Sequence, residues 1–561
     1  MFLPTTREEM EKLRWENLDI ILVTGDTYID SSYIGVSVIG QVLLKAGYRV
    51  GIIAQPDINH PEDICRLGEP VLFWGVTAGS VDSMIANYTA TGKKRKKDDY
   101  TPGGINDRRP DRATIVYVNL IKRYFKNTRP IVLGGIEPSM RRLAHYDFWD
   151  NRIRRSILFD SKADVLVYGM AEKSILQLAE RIARKEAITN IRGICYISNN
   201  PGEKGLILPS FSEVKQDKKK FIDMFDVFYQ NQDPFRGKIL AQQQDDRYLI
   251  HNPPNYPLSE KEMDEIYALD YQNDVHPYYR KWGPVRALDT IKFSVTSHRG
   301  CFGECNFCAI TVHQGKYIQS RSEKSIISEI KKLSMKEDFK GYISDVGGPT
   351  ANMYGMGCAN KFLKSHCLKK RCLFPSICDN LALNHQRQIK LLKKIRKIEG
   401  IKKAFVASGI RYDLVMADKK DGKNYLKEII LHHVSGQLKI APEHIEKKVL
   451  TLMGKGDNFY LAGFKKLFDH INHQANQKQF LTYYFIAAHP GCREEDMISL
   501  RQYIQRELRI NPEQVQIFIP APSTYSAVMY YTGIDPFSGN KIFVEKKIKN
   551  KEKQKKLITN S

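Results

Sequence analysis

Cys301, Cys305 and Cys308 stand in the run Ser-His-Arg-Gly-Cys-Phe-Gly-Glu-Cys-Asn-Phe-Cys, a Cys-x3-Cys-x2-Cys spacing. If three thiols this close in sequence serve one centre, the chain must form a tight loop there. The run at 291–295 (Ile-Lys-Phe-Ser-Val) predicts a strand leading into that loop. Gly300 and Gly303 let the backbone wrap closely around a bound group. Ten cysteines are spread over 561 residues, so such a triplet arises by chance in about 0.3% of chains of this composition; the spacing is therefore treated as signal. Three thiolates can hold three irons of a cubane [4Fe-4S] cluster. The fourth iron is then open to a small molecule, unlike the closed four-cysteine arrangement of electron carriers. The alternatives are a zinc knuckle, with His298 or His313 as fourth ligand, and inert buried thiols.

The rest of the chain reads as α/β. Residues 1–185 alternate apolar runs with amphipathic segments: strands at 19–24, 49–53, 71–76, 131–135 and 164–168, helices at 33–46 and 172–184. Buried-type strands alternating with helices predict a parallel, doubly wound sheet. Gly75, Gly134 and Gly135 fall at strand ends, where such sheets bind ligands. Asp26, Asp30 and Glu137 are expected on the same edge, as ligand contacts or as caps and turn residues. Residues 100–112 read as a surface loop. Residues 186–285 read as a mixed connector with β-like runs at 194–198 and 247–251, a helix near 213–230 and a break at Asn252-Pro-Pro-Asn-Tyr-Pro. Alternation resumes in 286–535, with strands at 291–295, 342–346, 403–408, 437–440, 483–487 and 514–519. The basic stretch 536–561 reads as a frayed helical or disordered tail.

The net charge of +24 comes from 87 basic and 63 acidic residues. It fits a polyanionic partner such as RNA, and equally a lysine-rich solvated surface. No apolar run reaches the length of a membrane span, and the amino terminus lacks the pattern of a signal peptide. The cysteines are unevenly placed, which points to a reducing compartment and hence a cytoplasmic protein.

The cysteine spacing, with the aromatic Phe307 before its last member, resembles the signature of the radical S-adenosylmethionine enzymes. The resemblance implies a partial (β/α)6 barrel in which Cys301, Cys305 and Cys308 ligate the cluster. The open iron would chelate S-adenosylmethionine, whose reductive cleavage gives a 5′-deoxyadenosyl radical. Phe307 would lie near the adenine. Gly347-Gly348-Pro349 falls where that superfamily carries a Gly-Gly-Glu-like motif, whose backbone carbonyls accept from the methionine amino group; Asp345 could reach the same group. Gly436-Gln-Leu-Lys-Ile-Ala-Pro-Glu443 is similar to the fifth-strand motif that lines the adenine. Ser408 and Arg411 stand at a strand end suited to ribose and carboxylate, and Arg is the side chain best shaped for a bidentate carboxylate contact. His489 closes another strand and could face the cavity.

The amino-terminal half looks like the Rossmann-like, cobalamin-binding-type domain found before many such barrels. The Asp-x-His-x-x-Gly motif that ligates cobalt in some of these is absent from the loop at 25–31, Gly-Asp-Thr-Tyr-Ile-Asp-Ser, so bound cobalamin is not expected. A second group, Cys358, Cys367, Cys372 and Cys378, is spaced x8, x4, x5. It is read as a possible second cluster or zinc site, with free or redox-active thiols as the alternative. Cys65, Cys195 and Cys492 read as ordinary buried thiols. Asp345-Val-Gly-Gly-Pro-Thr-Ala-Asn-Met-Tyr354, the four-cysteine segment after it, Asn252-Pro-Pro and Ala441-Pro-Glu-His444 together resemble the YgiQ-type radical S-adenosylmethionine proteins over nearly the whole chain. The resemblance implies an electron donor of the reductase or flavodoxin type. It names no substrate; charge and size lean toward RNA or protein. A non-catalytic iron–sulfur redox or sensor protein and a corrinoid-dependent methyltransferase are the alternative readings.

Overall fold

The computed structural model describes residues 1–203, 205–359, 367 and 371–559. The chain forms two compact units, one of Met1–Pro257 with Ala268–Lys292 and one of Leu258–Tyr267 with Phe293–Ser561.

The first unit is built on one sheet. Ile20–Thr24 (β1) and Val50–Ala54 (β2) are buried at every position, as expected of Val/Ile-rich strands covered on both faces. Phe73–Thr77 (β3), Ile131–Leu133 (β4) and Val165–Val167 (β5) continue the parallel array in the order β5-β4-β3-β1-β2. The strand order reverses beside β1, so the crevice at the carboxyl ends of β1 and β3 is the switch point of a doubly wound sheet. The helix at Glu172–Ala183 buries Ile175, Leu178 and Ala179, an i, i+3, i+4 stripe, against the same apolar core.

Much of the stretch 186–257 belongs to the first sheet. Ile194–Ser198 (β6), Leu206–Leu208 (β7), Leu240–Gln244 (β8) and Arg247–His251 (β9) extend the sheet to nine strands in the order β7-β8-β9-β6-β5. The β6 and β9 strands run antiparallel to their neighbours. β6 and β9 are the expected β-like runs at 194–198 and 247–251; β7 and β8 were not expected, and the short hairpin between β8 and β9 supplies the pairing that makes β8 a strand.

The second unit places its strands in chain order. Ser294–Thr296 (β10) pairs in parallel with Asp345–Gly347 (β12), and Tyr342–Ile343 (β11) with Lys403–Ala404 (β13). Ile410 bridges Ile440 in parallel, within Gln437–Glu443 (β14). Phe480–Ala487 (β15) pairs in parallel with β14 and with Gln514–Ile517 (β16). A helix fills each crossover: Glu323–Ser334, Gln386–Ile395, Gly422–His432, Leu461–Gln474 and Glu494–Tyr503. The first of these is capped by the Ser322 side chain accepting from the Ser325 amide, and it turns Ile326, Ile330 and Leu333 inward. The strand before the cysteine loop begins at Ser294, because Ile291 closes the short helix Ala287–Ile291.

The basic end is not a frayed tail. Ile548–Thr559 is a helix with Lys551, Gln554 and Ile558 buried. Lys551 donates to the Tyr530 hydroxyl at 2.7 Å, and burial lowers its ammonium to about 8.

Asp418 anchors a buried turn in this unit. One carboxylate oxygen accepts from the His385 amide at 3.1 Å and meets His385 Nδ1 at 2.8 Å; the other accepts from the Lys420 and Asp421 amides. Burial opposes its ionisation, but the His385 bond and the backbone amides outweigh that and hold the carboxyl at about 2. A carboxylate depressed from ~3.9 contributes stability above that value and loses it as pH falls through the folded one. Asp418→Asn is therefore expected to flatten the acid limb of stability between about pH 4 and 2, read by urea unfolding.

Candidate functional site

The cysteine loop follows β10, whose neighbour β12 ends at Gly347. Gly300 takes φ +83°, and a Cβ there would lie 2.1 Å from the Tyr317 carbonyl oxygen, so only glycine fits. The Gly303 amide donates to Cys301 Sγ at 3.4 Å, and a Cβ on Gly303 would stand 3.2 Å from Cys301 Sγ and 3.8 Å from Cys305 Sγ. Cys308 donates its amide to the Cys305 carbonyl at 3.0 Å, which closes the turn. Cys301 also meets the Thr350 hydroxyl at 3.6 Å. Burial raises the Cys301 and Cys308 thiols, Cys308 to about 12, and the neighbouring sulfurs push in the same direction. Cys301 and Cys308 become thiolates together more readily when positive charge, such as cluster iron, lies among them.

This donor set fits a [4Fe-4S] cluster: the Cys301 and Cys305 sulfurs lie against a bare glycine backbone with an arginine beside them, and a turn bonds Cys308 to Cys305. Among the described residues no three His, Cys, Asp or Glu side chains converge on a single ion position. A cubane does not require that, because each thiolate binds its own iron. His298 is not placed as a zinc ligand. Its Nδ1 meets the Ser297 hydroxyl at 2.9 Å, its Nε2 meets the Thr350 carbonyl at 3.1 Å, and burial lowers it to about 4. Its ring packs on Gly348, where a Cβ would lie 2.5 Å from Cε1.

Asp345, Gly347, Ser408 and Arg411 gather beside this loop. Asp345 accepts from the Ala407 amide at 2.8 Å, the Ser408 amide at 3.2 Å and the Ser408 hydroxyl. Burial raises its carboxyl, with those hydrogen bonds opposing. The Gly347 carbonyl accepts from the Ser297 amide at 2.7 Å and its hydroxyl at 3.0 Å. Both its lone pairs are used by Ser297, which leaves none for an incoming amino group. Nor is Arg411 held for an incoming carboxylate: it grips Asp413 through Nε at 3.0 Å and Nη2 at 2.5 Å. Burial opposes ionisation of Asp413, and the guanidinium outweighs it and keeps the carboxyl low. Nη1 of Arg411 stays on the sulfur side, 3.2 Å from the position a Gly303 Cβ would take.

Glu443 takes φ +67° at the end of β14, and burial raises its carboxyl against the pull of Lys455, whose ammonium lies 3.5 Å away. Phe307 meets the His489 ring edge to face at 6.3 Å. His489 is buried, its Nε2 2.7 Å from the Ser526 hydroxyl, and lowered to about 3. It supports Phe307 as a neutral ring.

Four contributors escaped the sequence reading. Thr350 touches Cys301. Asn352 accepts from the Arg411 amide at 2.8 Å and donates to its carbonyl at 3.0 Å, fixing the turn that carries the guanidinium. Both follow directly on Gly-Gly-Pro, which was the available signal. Lys455 shares the burial of Glu443. Arg371 donates to the Glu304 carbonyl at 3.0 Å and to Asn306 Oδ1 at 2.7 Å, tying the second cysteine segment to the first loop.

In the first unit the crevice beside β1 is filled by the chain itself. Arg109 is buried, donating to the Gly25 carbonyl at 3.1 Å and Asp26 at 2.7 Å, with Asp98 at 3.1 Å. The stretch 100–112 is thus not a simple surface loop. Asp30 accepts from Ser37 and from the Gln272 amide, and Glu137 from the Ser83 and Thr114 amides. All three acids are committed to internal bonds. Cys195 and Cys492 are buried, whereas Cys65 is half-buried.

Residues 2–294 match the family described as Radical SAM N-terminal. A UPF0313 protein of Fusobacterium nucleatum is 56% identical over 559 residues, covering 100% of this chain and 98% of that one. A UPF0313 protein of Thermotoga neapolitana is 49% identical over 561 residues, with the same coverage. Among solved structures the fold is similar to the radical S-adenosylmethionine methyltransferase TsrM of Kitasatospora setae, solved with cobalamin and a [4Fe-4S] cluster. The TM-score is 0.52 at 14% identity, over 91% of this chain and 77% of that chain. It is also similar to the cobalamin-dependent S-adenosylmethionine radical enzyme OxsB, solved with aqua-cobalamin, at a TM-score of 0.52 and 13% identity over 92% of this chain and 56% of that one. Fold, loop and matches define a radical S-adenosylmethionine protein. Within that class the chain belongs to the UPF0313 family.

Proposed function

We propose that this protein is a radical S-adenosylmethionine enzyme whose second unit is a partial (β/α)6 barrel with its site at the carboxyl ends of the strands. The observation that carries the proposal is the Gly303 backbone lying against two of three gathered thiols, with Arg411 and Asp345 alongside. A [4Fe-4S] cluster held there would supply one electron to cleave S-adenosylmethionine into methionine and a 5′-deoxyadenosyl radical. The residues of the chain bind and orient. Cys301, Cys305 and Cys308 are the iron ligands. Asp345 has spent three of about four acceptor positions on Ser408 and Ala407, and the remaining one suits an amino group. Gly348 and Pro349 offer backbone carbonyls. The Arg411 guanidinium, anchored by Asp413, sets positive charge beside the sulfurs. Ser408 and Glu443 border the ribose and adenine side, and Phe307, braced by His489, offers a ring face.

Anaerobic protein reduced with dithionite is expected to release 5′-deoxyadenosine from S-adenosylmethionine. A protein that holds its cluster and releases none would be the redox or sensor protein instead. Asp345→Ala is expected to weaken S-adenosylmethionine binding by about tenfold, the loss of one charge-assisted hydrogen bond, measured by equilibrium dialysis on cluster-loaded protein.

The donor is read as a flavodoxin-type or other reductase and the substrate as RNA or protein, in keeping with the +24 charge. A cytoplasmic location fits the free cysteines; no described helix is long and apolar enough to cross a membrane. The solved neighbours' cobalamin raises a corrinoid reading. The residues do not fit it: no histidine stands in the loop at 25–31, and Arg109 fills the crevice. Protein incubated with cobalamin and desalted is expected to show no corrin absorbance.

A further inference from the structure

We infer that Cys358, Cys367, Cys372 and Cys378 hold a second iron–sulfur cluster, fully ligated by cysteine, next to the first. This goes beyond the enzyme reading above, because it concerns residues that reading does not use. A strand pair brings the chain at Cys358 back beside the chain just after Cys378. Gly357–Cys358 runs antiparallel to Leu381–Ala382, with Cys358 opposite Leu381 and the Ala359 amide donating to the Asn380 carbonyl at 2.8 Å. Inside that closure Cys378 donates its amide to the Cys372 carbonyl at 2.9 Å, so the last two cysteines share one turn. The Cys372 thiol also feels the Cys367 and Cys378 sulfurs, which places three of the four within electrostatic reach of one another. Cys358, Cys372 and Cys378 are half-buried and Cys367 is exposed.

The ligand class follows from spacing and arrangement. Structural zinc sites gather paired ligands two to four residues apart on one ion. This spacing of x8, x4 and x5 contains one such pair, Cys367 and Cys372, and lacks the second that a paired zinc site uses, and among the described residues no three side chains converge on one ion position. A cubane instead spreads four thiolates over four irons, and four-cysteine ligation leaves no open iron. The segment is also built onto the first centre. Cys372 and Cys378 pack against the apolar cluster of Phe302, Met353, Leu373 and Leu414, which Cys301 touches as well. Arg371 holds the Glu304 carbonyl and Asn306 between the first-loop cysteines, and Gly454 makes room for it, since a Cβ there would lie 2.4 Å from its Nη1. Ordinary surface thiols would not require such a fastening.

The test is iron, acid-labile sulfide and zinc on anaerobically prepared full chain. Native protein is expected to carry about eight irons, twice the content of one cubane, and both the Cys301/Cys305/Cys308→Ala and the Cys372→Ala/Cys378→Ala proteins about four. About four irons in the native protein with none in the triple variant overturns the inference, as does one zinc that survives the triple substitution. If the double variant fails to fold, the triple variant decides alone through Mössbauer spectra of its remaining iron. Loss of 5′-deoxyadenosine release with full iron retained would strike the enzyme reading and leave this one standing.

Discussion

Cys301→Ala is expected to abolish 5′-deoxyadenosine formation, with a loss well beyond ~100-fold. Removing a group that merely supports a metal ligand already costs about 10–100-fold, and Cys301 is proposed as a ligand itself. The same change removes the acceptor of the Gly303 amide and the partner of Thr350. The protein should still fold, because the sulfur lies at the border of the apolar core rather than within it. The combined readout is product assay, iron content and thermal unfolding. Activity within tenfold of native protein would remove Cys301 from the site.

Arg109→Met carries the largest expected effect on stability. Arg109, Asp26 and Asp98 form a buried triad with side chains 0%, 1% and 5% exposed. Removing one partner of a buried pair leaves uncompensated charge and typically costs about 3–5 kcal/mol. Burial already raises the Asp26 carboxyl, with Arg109 the chief opposing influence, so without the guanidinium Asp26 is expected to take up a proton. Urea unfolding of the full chain measures the cost. The double variant Asp26→Asn/Arg109→Met should lose less than the sum of the single changes, since the two side chains act on one another. A loss under ~1 kcal/mol would show that the triad is not holding the crevice shut.

Much of this was legible in the sequence for identifiable reasons. Strands such as Ile20–Thr24 are continuous apolar runs, and three cysteines with two glycines announce a cofactor loop regardless of fold. Gly347, Ser408 and Arg411 were singled out because strand ends carry sites in α/β proteins, and the structure gathers them beside the cysteine loop. What stayed hidden was burial of charge. Arg109 sits in Asp-Arg-Arg-Pro-Asp-Arg, which reads as solvated; only the fold brings Asp26 and Asp98 to it. The terminal helix buries Lys551 and Gln554 along long, flexible stems, so its inward face shows no apolar stripe. Arg411 lies beside the cysteine loop, where its guanidinium is engaged by Asp413 two residues on. Of the strands in 186–257, Ile194–Ser198 and Arg247–His251 were legible as β-like runs, whereas Leu206–Leu208 and Leu240–Gln244 were missed, because their pairing depends on partners outside any single segment.

The terminal helix also turns one cysteine into a latch sensor. Cys492 is closed in by Gln554, whose side-chain oxygen lies 3.7 Å from its sulfur and also accepts from the Ala488 amide, while His444 Nε2 meets the same sulfur at 3.6 Å. Burial raises that thiol to about 12, so while the helix is docked it stays protonated and sealed. An alkylating reagent reaches it only when part of this cover, to which Gln554 and His444 both belong, opens. The rate of Cys492 modification therefore reports how often this cover, the terminal helix included, opens in the native protein.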